Sequence, residues 1–141
     1  MFIIKKGIVR VWFNSNGKDL TTQFFLEGES ASSLESFLYN EPSPFNIETI
    51  EYCEMEVLNK KDFNLLMSND SAFKDWFYDT AIEKLLYHSK RLLSFIKNKP
   101  QDRYRELQEL QPELLNRISQ HYLASYLGVT TVSLSRIRNR K

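Results

Sequence analysis

The chain has 141 residues, a formal net charge of +1, 42% hydrophobic residues and 13% aromatics. That length suits about one domain or two very small ones, and the apolar content is enough for a real core. A single cysteine, Cys53, excludes an internal disulfide and a cysteine-ligated iron–sulfur cluster within one chain, and no apolar run approaches the roughly 20 residues that span a bilayer.

The N-terminus starts directly in a β-like pattern with no secretory apolar region, so the expected compartment is the cytoplasm and no membrane partner is expected. Phe2-Ile3-Ile4 and the run from Gly7 to Phe13 are rich in β-branched and aromatic residues, which favour strands. Asn14-Ser15-Asn16-Gly17 signals a hairpin turn, and Thr21 to Leu26 returns as a strand. Leu34 to Tyr39 suggests a short helix, ended before Pro42-Ser43-Pro44 because neither proline can continue it. Ile47 to Leu58 alternates apolar and polar residues, the mark of strands with one wet face, and Lys60 to Met67 looks helical. Several short antiparallel strands over residues 1–69 predict a piece of a β-barrel or sandwich.

Residues 70–99 predict one long helix, capped by Asp70 or Ser71 and closed by Pro100. Tyr78, Ile82, Leu85, Ser89, Leu92 and Ile96 recur at alternating spacings of four and three, an a/d heptad seam by which two such helices pair. A homodimer is the expected consequence. A helix buried within a single subunit is the alternative.

Residues 100–141 begin with a further helix, Gln101 to Leu110, and reach the most informative stretch, Ile118 to Lys141. There Ser119 can cap a first helix, and Leu123 and Leu127 share one of its faces. Ala124 is small where a second helix would cross closely. Gly128 stands where the backbone often turns left-handed, and Thr130 can cap the second helix. Val129, Leu134 and Ile137 supply the buried side, leaving Thr131, Val132, Ser133, Arg136 and Arg138 outward. No Asp or Glu occurs after Glu113, while the preceding β segment carries Glu27, Glu29, Glu35, Glu41, Glu48, Glu51, Glu54 and Glu56. A helix pair with a glycine corner and a basic end predicts a helix-turn-helix that docks on double-stranded DNA. An ordinary helical hairpin with a solvated basic end is the alternative.

Arg117 to Thr130, with Leu134-Ser135-Arg136-Ile137-Arg138, resembles the DNA-binding signature of the Crp–Fnr family of transcription regulators, in particular the group common in Bacteroidetes. Phe2 to Phe25, with Ile4-Lys5-Lys6-Gly7-Ile8-Val9-Arg10, is similar to the middle strands of that family's cyclic-nucleotide-binding-like barrel. The resemblance implies an α+β fold: a partial antiparallel β-barrel of the cyclic-nucleotide-binding-like jelly-roll kind, a long dimerisation helix and a C-terminal helix-turn-helix. It also implies a sequence-specific DNA-binding regulator that acts as a homodimer. Arg136 falls on an arginine the family uses on DNA, and its guanidinium matches guanine bidentately. Thr131 and Val132 stand where the family often has Glu or Arg. Val132 can instead touch a thymine methyl, while Thr130, Ser133, Arg138 and Arg140 suit phosphate contacts, and His121 suits a phosphate contact or a solvated position equally.

Two departures follow from the same comparison. Met1 stands where a middle strand of the family's barrel should begin, so an N-terminally truncated form, or a true start upstream, is expected. The places where cyclic-AMP-binding members carry Gly-Glu and Arg-Ser read Ser32-Ser33 and Ser43-Pro44 here, and no arginine lies between Arg10 and Arg91. A phosphate diester needs a guanidinium fork, so cyclic AMP binding is not expected, and an effector of another kind stays open. No cofactor or metal is expected, since no His, Cys or carboxylate set has zinc spacing and no glycine-rich phosphate loop exists. No Ser/His/Asp arrangement stands out, and an enzyme is not expected. The rival reading is a protein-interaction or dimerisation module, or a truncated regulator without autonomous DNA binding.

Overall fold

The β-branched and aromatic residues near the start of the chain form strands, as their fit to a pleated, half-buried surface dictates. In the computed structural model, which describes residues 1–139, the order is β1 (Phe2–Lys6), β2 (Val9–Ser15), β3 (Lys18–Phe25), β4 (Ser30–Ala31), α1 (Leu34–Tyr39), β5 (Asn46–Thr49), β6 (Glu54–Val57) and α2 (Lys60–Asn69). The long α3 (Ser71–Lys97) follows, then α4 (Pro100–Leu110), α5 (Pro112–Arg117), α6 (Gln120–Leu127) and α7 (Thr131–Asn139). The chain divides into two compact units, Met1–Asn69 and Asp70–Lys141.

The first unit holds two three-stranded antiparallel sheets, ordered β4-β1-β6 and β3-β2-β5. The fold is the expected α+β class, and the two sheets are not closed into a barrel. The β2–β3 hairpin turns where the Asn-Gly pair predicts. Asn16 and Gly17 both take positive φ, 53° and 79°, as the turn that matches strand twist requires. The Asn14 side chain accepts from the Gly17 N–H at 3.1 Å and closes the turn. Ile4, Val9, Phe25 and Ala31 form a buried cluster, with Val11 and Cys53 packed against it.

Arg10 is the least expected member of this unit. Its side chain, on the middle strand β2, is 1% exposed. The guanidinium lies 3.7 Å from the Asp19 carboxylate on β3 and 3.6 Å from Glu48 on β5, and it stacks over the Trp12 ring at 5.0 Å. One cation therefore ties all three strands of its sheet together. A buried charge survives only with partners of opposite sign, and the two carboxylates supply them.

Gly7, between β1 and β2, is fixed by its surroundings. Its φ is +93°, and an added Cβ would lie 2.4 Å from the Tyr52 carbonyl oxygen and 2.5 Å from the Cys53 sulfur.

In the second unit the Asp70 carboxylate caps α3 by accepting from the Phe73 N–H at 3.0 Å. The helix ends at Lys97. Pro100 does not close it but opens α4 as its first residue, where a missing N–H costs nothing. Pro112 likewise opens α5, a short helix that the sequence reading passed over. Helix α4 packs against α5, α6 and α7, and α6 packs against α7. Tyr104, Leu107, Leu114, Ile118, Leu123, Ala124, Tyr126, Leu127 and Leu134 supply the buried side chains of this helical group. No helix among the described residues is long and apolar enough to cross a membrane.

Gly7→Ala should destabilise the protein by about 1–3 kcal/mol, the cost of a strained backbone position held by its neighbours. A fall in the urea midpoint of the β unit, followed by tryptophan fluorescence, checks this.

Candidate nucleic-acid interface

Helix α6 begins at Ser119, whose hydroxyl accepts from the Tyr122 N–H at 3.4 Å. It ends at Gly128, with φ 68° and ψ 36°. The Gly128 N–H donates to Ser125 O at 3.1 Å and the Val129 N–H to Ala124 O at 2.9 Å. This pair of bonds is a Schellman ending, which satisfies carbonyls the helix itself leaves open. Two residues later Thr130 starts α7. Its hydroxyl accepts from the Ser133 N–H at 3.1 Å and donates to the Ser133 hydroxyl at 3.0 Å. A complete stop and a complete start thus sit on either side of Val129, and they set the angle between the two helices.

Burial sorts the side chains of α7. Leu134 is fully buried, with Ser133, Ser135 and Ile137 half-buried. Thr131, Val132, Arg136 and Arg138 are exposed, Val132 by 59%. Val132 and Arg136 are one helical turn apart and share a face. Thr130 is exposed, but its hydroxyl and that of Ser133 are engaged with each other as the cap. His121 is exposed near the start of α6, its ring 5.7 Å from that of Tyr122. Arg140 lies outside the described residues.

With 9 residues, α7 is about 13 Å long at 1.5 Å per residue. A major groove about 12 Å wide admits such a helix. The sequence from α6 onward carries no carboxylate, so no side chain in this pair of helices repels a phosphate backbone.

The seam expected on α3 is uncovered within the subunit. Tyr78, Ile82, Leu85, Ser89, Leu92 and Ile96 are all exposed, Ile96 by 71%. Leu86 and Leu93, on a neighbouring strip, are also exposed. So wide an exposed apolar stripe on a 27-residue helix is costly in water.

The first unit contains a cavity of about 440 Å³ whose lining includes Ser32, Ser33, Ser36, Asn40, Ser43 and Lys60. These include Ser32, Ser33 and Ser43, from the two places where the family resemblance leads one to expect cyclic-nucleotide contacts. Among the described residues that line it, Lys60 is the one with a cationic side chain, and its ammonium is committed to α1. It donates to the carbonyls of Phe37 and Leu38, each at 2.8 Å, at the C-terminal end of that helix. A cation placed there complements the helix dipole. Among the described residues no group of His, Cys, Asp and Glu is arranged to hold a metal ion.

The sequence reading missed Arg91, Phe95 and Arg103, which gather at the end of α6. The i, i+4 spacing of Arg91 and Phe95 was the available signal, but nothing local reveals that Arg103 meets them.

Residues 1–70 match the family model described as cyclic nucleotide-binding domain. Among solved structures, a CooA mutant from Carboxydothermus hydrogenoformans superposes with a TM-score of 0.75 at 16% identity, over 98% of this chain and 65% of that one. The c-di-GMP-responsive global regulator CLP of Xanthomonas campestris gives 0.73 at 17% identity, over 96% of this chain and 73% of that one. A Crp/Fnr-family protein from Eubacterium rectale gives 0.69 at 13% identity, over 96% and 66%. The chain thus spans about two thirds of the length of these proteins, and at such identities the likeness is one of fold. No curated protein sequence matches the chain significantly.

Thr130→Ala should cost about 1 kcal/mol, the usual loss for an N-cap hydroxyl, and should speed hydrogen exchange at the Ser133 amide. Thermal denaturation and exchange measured by NMR check both effects.

Proposed function

We propose that this chain, whose residues 1–70 match the family model described as cyclic nucleotide-binding domain, is a sequence-specific DNA-binding transcriptional regulator. It acts as a homodimer and does not respond to cyclic AMP. The observation that carries the reading is α7 itself: a helix set by complete caps at its corner, turning Val132 and Arg136 outward at an end without acids. The regulator described for Xanthomonas campestris supports the role by analogy of fold.

In this reading α7 lies in the major groove. Arg136 contacts a guanine edge through its bidentate fork, and Val132 touches a thymine methyl. Thr131, Arg138, Arg140 and His121 contact the backbone and fix register. Thr130 and Ser133 act mainly through the cap they form together, with their outer lone pairs left for phosphate. The α3 seam pairs with that of a second copy, so the two recognition helices meet half-sites about one helical turn apart. Three functional segments follow: 1–69 as sensor, 70–99 as dimerisation helix, and 100–141 as reading head.

The cavity beside α1 bears on the input. Its serines can hydrogen-bond a ligand, but Lys60 is occupied by helix carbonyls and no guanidinium fork stands among its described lining. A cyclic phosphate would enter without the charge that holds it. Another small-molecule effector fits the same space.

Arg136→Ala should weaken specific binding by about 1–3 kcal/mol and relax preference at one base pair, as selection of bound sequences would show. In wild type, binding to nonspecific duplex should weaken with salt by about 0.9 in the log–log slope per phosphate neutralised. A flat salt response would favour the exposed α3 face as the functional surface and a protein-pairing module as the reading. Leu85→Lys should convert the dimer to a monomer in sedimentation equilibrium, because a like charge then opposes itself across the seam.

A further inference from the structure

Helix α6 ends against a group of side chains that the helix pair does not itself contain. Arg91, near the end of α3, donates from Nη2 to the Tyr126 carbonyl at 2.7 Å, and its guanidinium lies 3.5 Å from the centre of the Tyr126 ring. Arg103, on α4, donates from Nη2 and Nε to the Leu127 carbonyl at 2.9 and 3.2 Å. Both guanidinium groups also lie against one ring, that of Phe95, at 5.0 Å for Arg91 and 4.5 Å for Arg103. That same ring meets the corner: a Cβ on Gly128 would stand 2.9 Å from Phe95 Cε1.

Two like charges do not gather around one ring without compensation. Here the compensation is the C-terminal end of α6, whose carbonyls carry the negative end of the helix dipole, together with the faces of Phe95 and Tyr126 and the nearby Glu106 carboxylate, which favours the charged form of Arg103. The crowding is felt at Arg103, whose pKa is lowered by burial first and by the Arg91 charge second. The group is held from behind as well. Arg103 Nη1 donates to Asn98 O at 2.9 Å, Asn98 donates to Glu106, and Tyr87 and Tyr126 join hydroxyl to hydroxyl.

We propose that Arg91, Phe95 and Arg103 are positioning residues for the recognition helix: they clamp the end of α6 and the Gly128 corner to the last turns of α3. The setting of α7 then depends on α3, and a shift there moves the reading face. This inference rests on the DNA-binding reading of α7.

The test uses the full chain with Phe95→Leu, which keeps apolar volume but removes the ring face, and Phe95→Tyr, which keeps the face. Arg91→Lys is a further variant, keeping the charge but losing the planar fork. Phe95→Leu and Arg91→Lys should speed amide exchange at Gly128 and Val129 by about tenfold, the scale of one cation–π or charged hydrogen bond lost. Exchange in the buried turn of α4 around Leu107 should stay at the wild-type rate. Phe95→Tyr should restore the corner rates. Specific DNA affinity should fall in step in the first two variants and recover in the third. Unchanged corner exchange in both Phe95→Leu and Arg91→Lys overturns the clamp. So does a uniform rise across α4 to α7, which indicates mere structural support. If the wild-type chain binds no DNA, the exchange results still decide the clamp, and only the DNA-binding reading is lost.

Discussion

A short helix that ends against other helices must find donors for its last carbonyls, because water cannot reach all of them. Helix α6 is such a case, with 8 residues and most of its apolar side chains buried. The chain answers twice. Locally, Gly128 turns left-handed so that two following amides can reach back to Ser125 and Ala124. At a distance, Arg91 and Arg103 reach the carbonyls of Tyr126 and Leu127. The corner angle, the direction of α7 and the exposure of Val132 and Arg136 all descend from how those carbonyls are satisfied.

The β unit solves a parallel problem with a charge. Arg10 sits in the middle strand of its sheet, out of water, and its two carboxylates come from the strands on either side. The arginine of this unit is thus consumed by architecture. The cavity near α1 is left with hydroxyls, amides and a lysine that caps a helix. Scaffold and cavity thus draw on different side chains: Arg10 holds the sheet, and Lys60 holds the end of α1.

Much of this was legible in the amino-acid order, wherever the determinant is local. Asn16-Gly17 forces a hairpin, Asp70 and Ser119 cap helices, and Gly128 followed by Thr130 marks the corner between α6 and α7. The a/d spacing along α3 is legible too, and its side chains are exposed in the subunit. The prolines were harder. Pro100 and Pro112 exclude a helix interior, yet a proline is as acceptable at the first position of a new helix as beyond the end of an old one. That ambiguity hid α5. Likewise a two-residue strand such as β4 has no pattern of its own and exists because β1 offers it partners.

By itself, then, the sequence determined most of the longer elements, several of their caps, the glycine corner, the family resemblance and the lack of any arginine between Arg10 and Arg91, since each is read from the order of residues along the chain. Tertiary structure alone decided that Arg10 is buried between two carboxylates, that Lys60 is committed to α1, and that Arg91, Phe95 and Arg103 meet at the end of α6. Those outcomes depend on side chains brought together from separate strands and helices, and no local pattern encodes which distant partner will fill a given unsatisfied group.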